Sequence, residues 1–361
     1  MQTERPSPGE GEAQHPGQVV DFSVAAYTGA LLVGGGPAVP REVADQAVAE
    51  LTVFAREAEQ HVRGLTGLGE GHEIREATVV DRQGWVRAAA AGLDSLTGRA
   101  MADAAKQGQS RRNPAGQLLA GSAGVQTGLA LAFLGSKVLG QYDPFCDDDH
   151  GRLLLVAPNI VQAERALGVR SEEFRLWVCL HESTHRLQFT AVDWLSEYFV
   201  DEVGRFIAGG DDTAANALAK LPDVIRNAKQ GLGGPLGVFE ALQSPRQREA
   251  FDRLIALSTL LEGHADYVMD AVGPEIVPSV ETIRRKFTER RKGGGVLDRL
   301  LRSLLGVDAK IKQYEQGGAF ARHVVDRVGM TGFNAIWRSP NTLPSRAELA
   351  EPDAWLRRVH G

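Results

Sequence analysis

Beyond residue 20, apolar residues recur every three or four positions along most of the chain, the spacing of amphipathic helices. In PREVADQAVAELTVFAREAEQHV (residues 40–62), Val43, Ala47, Leu51, Phe54 and Ala58 fall on one stripe. Pro40 suits the first helical turn, where a missing N–H costs nothing. Residues 82–105, 115–139, 193–207 and 245–272 read as further helices. Ser171 followed by Glu172 and Glu173 opens another, with acids at the positive end of its dipole. Two short runs break the helical period and read as strands: ATVVDR (77–82) and RLLLVAP (152–158), the second ended by Pro158. The expected class is mainly α with at most a small β element.

Residues 1–18 are rich in Pro, Gly, Glu and Gln and cannot offset the entropy of ordering, which predicts a flexible tail. Residues 19–361 are expected to form a single domain, with GLGGPLG (231–237) and KGGGVL (292–297) as lobe boundaries around a cleft. The most apolar stretch, residues 114–140, is interrupted by Gln117, Gln126, Thr127 and Ser136, so a buried small-residue helix is expected rather than a membrane span. With 361 residues, 43% hydrophobic and 24% charged, the chain can bury a core without staples.

A net charge of −6 gives no global reason to bind nucleic acid or an anionic membrane. The basic run IRRKFTERRKGGG (283–295) has only Phe287 as an aromatic, too little for a base-stacking platform. The acidic DPFCDDDHG (143–151) lacks the spacing of a calcium loop. Two cysteines, Cys146 and Cys179, exclude a disulfide framework and a cysteine-type zinc site. They fit a reducing compartment, and with no basic-then-apolar leader the expected location is cytoplasmic.

The stretch CLHESTHRLQF (179–189) carries chemistry. Residues four apart share a helix face, so His181 and His185 can present two imidazole nitrogens to one metal ion. Glu182 sits about 100° round the helix and can act as a general base without being a ligand. In a chain with nine histidines this pattern arises by chance on the order of one or two per cent of the time, so a metal site is expected. The helical setting makes zinc the expected ion, although the ligand types alone do not exclude iron or manganese. Arg186 is less usual, a charge directly after the second histidine. A catalytic zinc takes three protein ligands, and no histidine follows within ten residues of His185. LLEGHADYVMD (260–270) offers Glu262 as the third ligand and His264 as its rival, on a different side of that helix. Asp266, one turn after Glu262, is placed to accept the free N–H of a ligand histidine. Tyr267, Tyr314, Arg322 and His323 are oxyanion donors by chemistry alone.

LGQYDPF (139–145), GRLLLVAPNI (151–160), LHESTHRLQF (180–189) and LEGHADYVMD (261–270), in that order, resemble a bacterial zincin-like metallopeptidase group often labelled as associated with biosynthesis of a deazaflavin coenzyme. DRQGWVRAA (81–89), YEQGGAFARHV (314–324) and NTLPSRAELAEPDAWLRR (341–358) extend the likeness over most of the chain. The resemblance implies a predominantly helical zincin-like hydrolase. It carries over His181, His185 and Glu262 as zinc ligands and Glu182 as base but supplies no substrate; for a hydrolase of this chemistry a peptide or other small amide is expected. A zincin-shaped scaffold that binds metal without turnover is the competing expectation. A structural site would draw a fourth ligand from His264 or Asp266.

Overall fold

The computed structural model describes residues 20–106, 114–146, 150–208, 244–292 and 307–361. The tail, Asp147–Asp149 and the glycine-rich stretches at 231–237 and 293–297 lie outside the described residues. The elements run α1 (Phe22–Leu32), α2 (Arg41–Thr66), β1 (Thr78–Val80), α3 (Arg82–Lys106), α4 (Pro114–Gly135), β2 (Gly140–Asp143), β3 (Arg152–Val156), α5 (Ala157–Leu167), α6 (Ser171–Thr190), α7 (Leu195–Ala208), α8 (Pro245–Ala271), α9 (Val280–Lys292) and α10 (Val307–Phe333). Two 3-10 turns (Asn334–Arg338 and Pro340–Thr342), α11 (Arg346–Ala350) and α12 (Pro352–His360) complete them. The fold is mainly α, as its period predicts.

The described strands form one three-stranded sheet in the order β1-β3-β2. β1 runs parallel to β3, with Thr78 opposite Leu154, and β2 runs antiparallel, with Gln141 also opposite Leu154. Leu153 to Val156 are all buried, which is why this central strand reads as a continuous apolar run rather than an alternating one. Pro158 does not end the strand by breaking structure. It occupies the first turn of α5, which starts directly after β3. α6 starts at Ser171 with Glu172 and Glu173 in its first turn, as read, and Arg170 precedes it without a side-chain cap.

The main core surrounds α6. Leu51, Ala55, Ala58 and Val62 line one face of α2 and pack with Phe174, Leu180 and Leu187 of α6, Leu257 and Leu260 of α8 and Phe320 of α10. The stripe read from sequence is therefore the buried one from Ala47 onward, with Phe54 at its edge and Val43 outside the core. A second core joins Ala25, Trp85, Val86, Leu131 and Leu154 between α1, α3, α4 and the sheet. On α4 the glycines face α1 so closely that a Cβ on Gly128 would lie 2.8 Å from the Ala25 carbonyl oxygen. Beside that face, Val125 and Leu129 are exposed. No helix among the described residues is long and apolar enough to cross a membrane.

Candidate metal centre

α6 crosses the core with most of its residues buried, including Cys179, Glu182, Ser183 and Thr184. Burial pushes the Cys179 thiol far up, so it serves packing rather than nucleophilic chemistry. His181 and His185 share the face turned toward α8, where Glu262 meets them. Their side chains keep 22%, 16% and 19% of their surface exposed, so this edge of the helix pair remains open to solvent.

The three chemically relevant atoms form a small triangle. His181 Nε2 and His185 Nε2 are 3.2 Å apart, and Glu262 Oε2 lies 3.5 and 3.6 Å from them. That carboxylate oxygen is buried and has no hydrogen-bond partner. Ligands about 2.0–2.2 Å from a tetrahedral ion lie about 3.3–3.6 Å from one another. Two observed sides fall in that range and the 3.2 Å side lies just below it, so these atoms could serve one ion of zinc's size. Electrostatics favours a cation at the same point. Burial would raise the Glu262 carboxyl, but the two histidines hold it well below the usual carboxylate range. Burial also opposes charge on His185, yet the Glu262 carboxylate keeps it up at about 9.

Glu182 lies on another face of α6, against β2. A Cβ on Gly140 would fall 2.6 Å from its Cγ, so the strand approaches the glutamate as only a glycine allows. Burial raises the Glu182 carboxyl, and the neighbouring histidines partly offset that rise.

The outer nitrogens of the two histidines meet unlike partners. His185 Nδ1 lies 2.8 Å from Gln188 Oε1, and His181 Nδ1 lies 3.1 Å from the Met269 sulfur. Asp266, expected in this role, is not there. Its two carboxylate oxygens each accept from Arg284 Nη1 at 2.9 Å, so the cation that α9 brings to α8 takes the carboxylate in place of a histidine N–H. Gln188 and Met269 were legible in principle. Gln188 is three residues after His185 and Met269 seven after Glu262, both helical repeats of a ligand position.

His264, the rival ligand, is fully buried and stacked on Phe333, and its Nδ1 faces Gln188. Burial, with the charge on His185, depresses it to about 3, so it stays neutral. Among the oxyanion candidates, Arg322 pairs with Asp270 and His323 with Asp353, while Tyr267 packs against the main core. The Tyr314 side chain lies outside the described residues. Two cations of the basic run serve packing: Arg284 as above, and Lys286 on the Leu167 and Gly168 carbonyls at the end of α5. A separate cleft of roughly 400 Å³ beside the start of α6 is lined by Glu50 and Glu164, which are neutralised by Arg175 at 2.6 and 2.7 Å.

A family model described as zincin-like metallopeptidase matches residues 20–356. A solved structure from Chloroflexus aurantiacus, described as a proposed hydrolase with a novel fold, is similar at 26% identity and a TM-score of 0.65, covering 94% of this chain and 99% of that one. No curated protein matches the sequence.

Proposed function

Since the chain belongs to the zincin-like metallopeptidase family, we propose that it is a zinc-dependent hydrolase of peptide or other small amide bonds, with His181, His185 and Glu262 as ligands. The triangle of Nε2, Nε2 and Oε2, with sides of 3.2, 3.5 and 3.6 Å, carries this proposal. When bound, a zinc ion supplies Lewis acidity to the attacking water and the scissile carbonyl. Glu182 takes the proton from that water and delivers it to the leaving amine. Its burial, which disfavours the charged carboxylate, makes it the stronger base.

Two further observations support turnover over a scaffold role. His264 is committed to Gln188 and aromatic rings, and Asp266 to Arg284, so neither supplies a fourth ligand. Among the described strands β2 is one of the two edges of the sheet, and its Gly140 abuts Glu182. A substrate backbone adding to that edge as an extended strand passes in front of the base.

Metal content by mass spectrometry, paired with a peptide-library cleavage assay, tests the proposal. The native chain should carry one zinc and cleave. Glu182→Gln should keep the zinc and lose cleavage, whereas His185→Ala should lose both. A fully active Glu182→Gln variant sinks the general-base role, and a metal-free native chain sinks the zinc site.

A further inference from the structure

Gln188 sits on α6 one turn beyond His185, with no exposed surface. Its amide reaches both helices that carry the ligand triangle. On one side Oε1 meets His185 Nδ1 at 2.8 Å. On the other, Nε2 meets the Leu261 carbonyl oxygen at 2.9 Å and His264 Nδ1 at 3.0 Å. Leu261 directly precedes Glu262.

Donor and acceptor rules leave one assignment for this network. A backbone carbonyl only accepts, so the amide atom facing Leu261 is the NH2 group. The other amide atom is then the oxygen, which only accepts, so His185 must carry its proton on Nδ1. Once the other ring proton is lost, as metal binding requires, the Nε2 lone pair is aimed at the point shared with His181 and Glu262. The second amide hydrogen points at His264 Nδ1, which must accept, so His264 carries its proton on Nε2. His264 Nε2 is buried and finds no acceptor, in a ring packed by Phe333 and Trp337. The structure tolerates an orphaned donor there, at the cost of a buried unsatisfied group, in order to keep His264 an acceptor toward Gln188.

We propose that Gln188 is a positioning residue of the metal centre: its single amide fixes the tautomer of His185 and ties the Leu261–Glu262 backbone to α6. The inference rests on the zinc reading above and adds what holds two of its three ligands in place. An amide suits the task where a carboxylate does not. A carboxylate also accepts from His185 Nδ1, but it would set oxygen against the Leu261 carbonyl oxygen and turn His264 into a donor at Nδ1. The same logic explains why His264 lies so close to the centre without being a ligand. It is the far end of the clamp.

The first test uses the unaltered, zinc-loaded chain. Long-range 15N–1H spectra of the imidazoles should show His185 protonated at Nδ1 and His264 protonated at Nε2. His264 protonated at Nδ1 overturns the proposal, because the Gln188 amide would then face a second donor. The second test is zinc affinity by chelator competition, with folding followed by circular dichroism. Gln188→Met, close in size but without donor or strong acceptor, should weaken zinc binding about 10–100-fold and leave His185 in mixed tautomers. Gln188→Glu should restore the His185 tautomer and fall between Met and native in affinity. A native-like zinc affinity for a folded Gln188→Met variant overturns the inference while leaving the zinc site standing. A native chain that binds no zinc overturns the site itself, and the clamp with it. Should the Met variant fail to fold, the native-chain spectra still decide the tautomers.

Discussion

Arg186 donates to Glu59 at 2.7 Å, and both side chains are buried. The charge that looked out of place after the second histidine is an anchor. It holds α6 against α2 and also donates to the backbone carbonyls of Arg75 and Glu76 in the segment leading to β1. Glu59 accepts from Arg63 as well, so the two ends of the pair are unequally supported. Glu59→Leu leaves a buried guanidinium without its carboxylate and should lower unfolding free energy by about 3–5 kcal/mol. Arg186→Met should cost less, since Arg63 stays on Glu59. Urea denaturation of both variants checks the order, and a larger loss for Arg186→Met contradicts it.

Glu262 and His264 compete as third ligand on sequence grounds, and their surroundings separate them. Glu262→Ala should weaken zinc binding by more than the roughly 100-fold upper range of an outer-partner change. His264→Phe removes only the far end of the Gln188 network and should stay within about tenfold of native, with one zinc per chain. Chelator competition reads both. The opposite ranking would move the ligand to His264.

Gly263 of α8 lies against Gly317 of α10, where an added Cβ would come 2.1 Å from the Gly317 carbonyl carbon. No side chain can yield, because the obstacle is backbone. Gly263→Ala should lower stability by at least about 1–3 kcal/mol and weaken zinc binding, because Glu262 must move with the helix. Gly64 of α2 has nothing within 4 Å of its Cβ position, so Gly64→Ala should raise stability by roughly 0.5–1 kcal/mol. Thermal denaturation of the pair tests whether the contact, rather than glycine loss in general, sets the cost.

Asp21 caps α1. Its Oδ1 accepts from the Ser23 hydroxyl at 2.6 Å and from the Ser23 and Val24 backbone amides at 3.0 and 3.1 Å. These bonds, the Ser23 hydroxyl first, hold its carboxyl below the ordinary value. A carboxyl depressed on folding stabilises above its unfolded pKa of about 3.9, and that contribution fades as pH falls through the folded value. Asp21→Ala should therefore cost about 0.5–2 kcal/mol at neutral pH and progressively less below about pH 4. A cost that stays level into acid would assign the effect to packing instead.

Much of this was legible because helices write their contacts at fixed spacing. His181, His185 and Glu182 were assigned from one turn of α6, and the buried stripe of α2 from its period. Glu262 was reachable through the facing position it shares with no other carboxylate in its turn. What stayed hidden is tertiary. Nothing in LEGHADYVMD announces that Asp266 turns to Arg284 on α9, because that choice depends on how a third helix lies across α8. β2 escaped notice because GQYD has no strand composition of its own. It is a strand because β3 offers an edge. Pro158 misled for a different reason: the residue that ends a strand and the one that opens a helix are the same when no loop lies between them.

The helix α8 divides its circumference among three neighbours. Thr259 and Gly263 meet α10 backbone to backbone, Glu262 and Met269 turn to the histidines of α6, and Asp266 and Asp270 grip Arg284 of α9. Asp270 also takes Arg322 of α10, so the acid–arginine set links three helices, but none of its ion pairs includes an atom of the ligand triangle. Across descendants of this chain, that set can drift to apolar residues as a group without removing a ligand. The glycine seat can drift only in concert, a gain of bulk on one helix answered by retreat of the other. The centre is thus insulated from change on one flank and locked to it on another. Variation among relatives should be dense around residue 266 and sparse around residue 263.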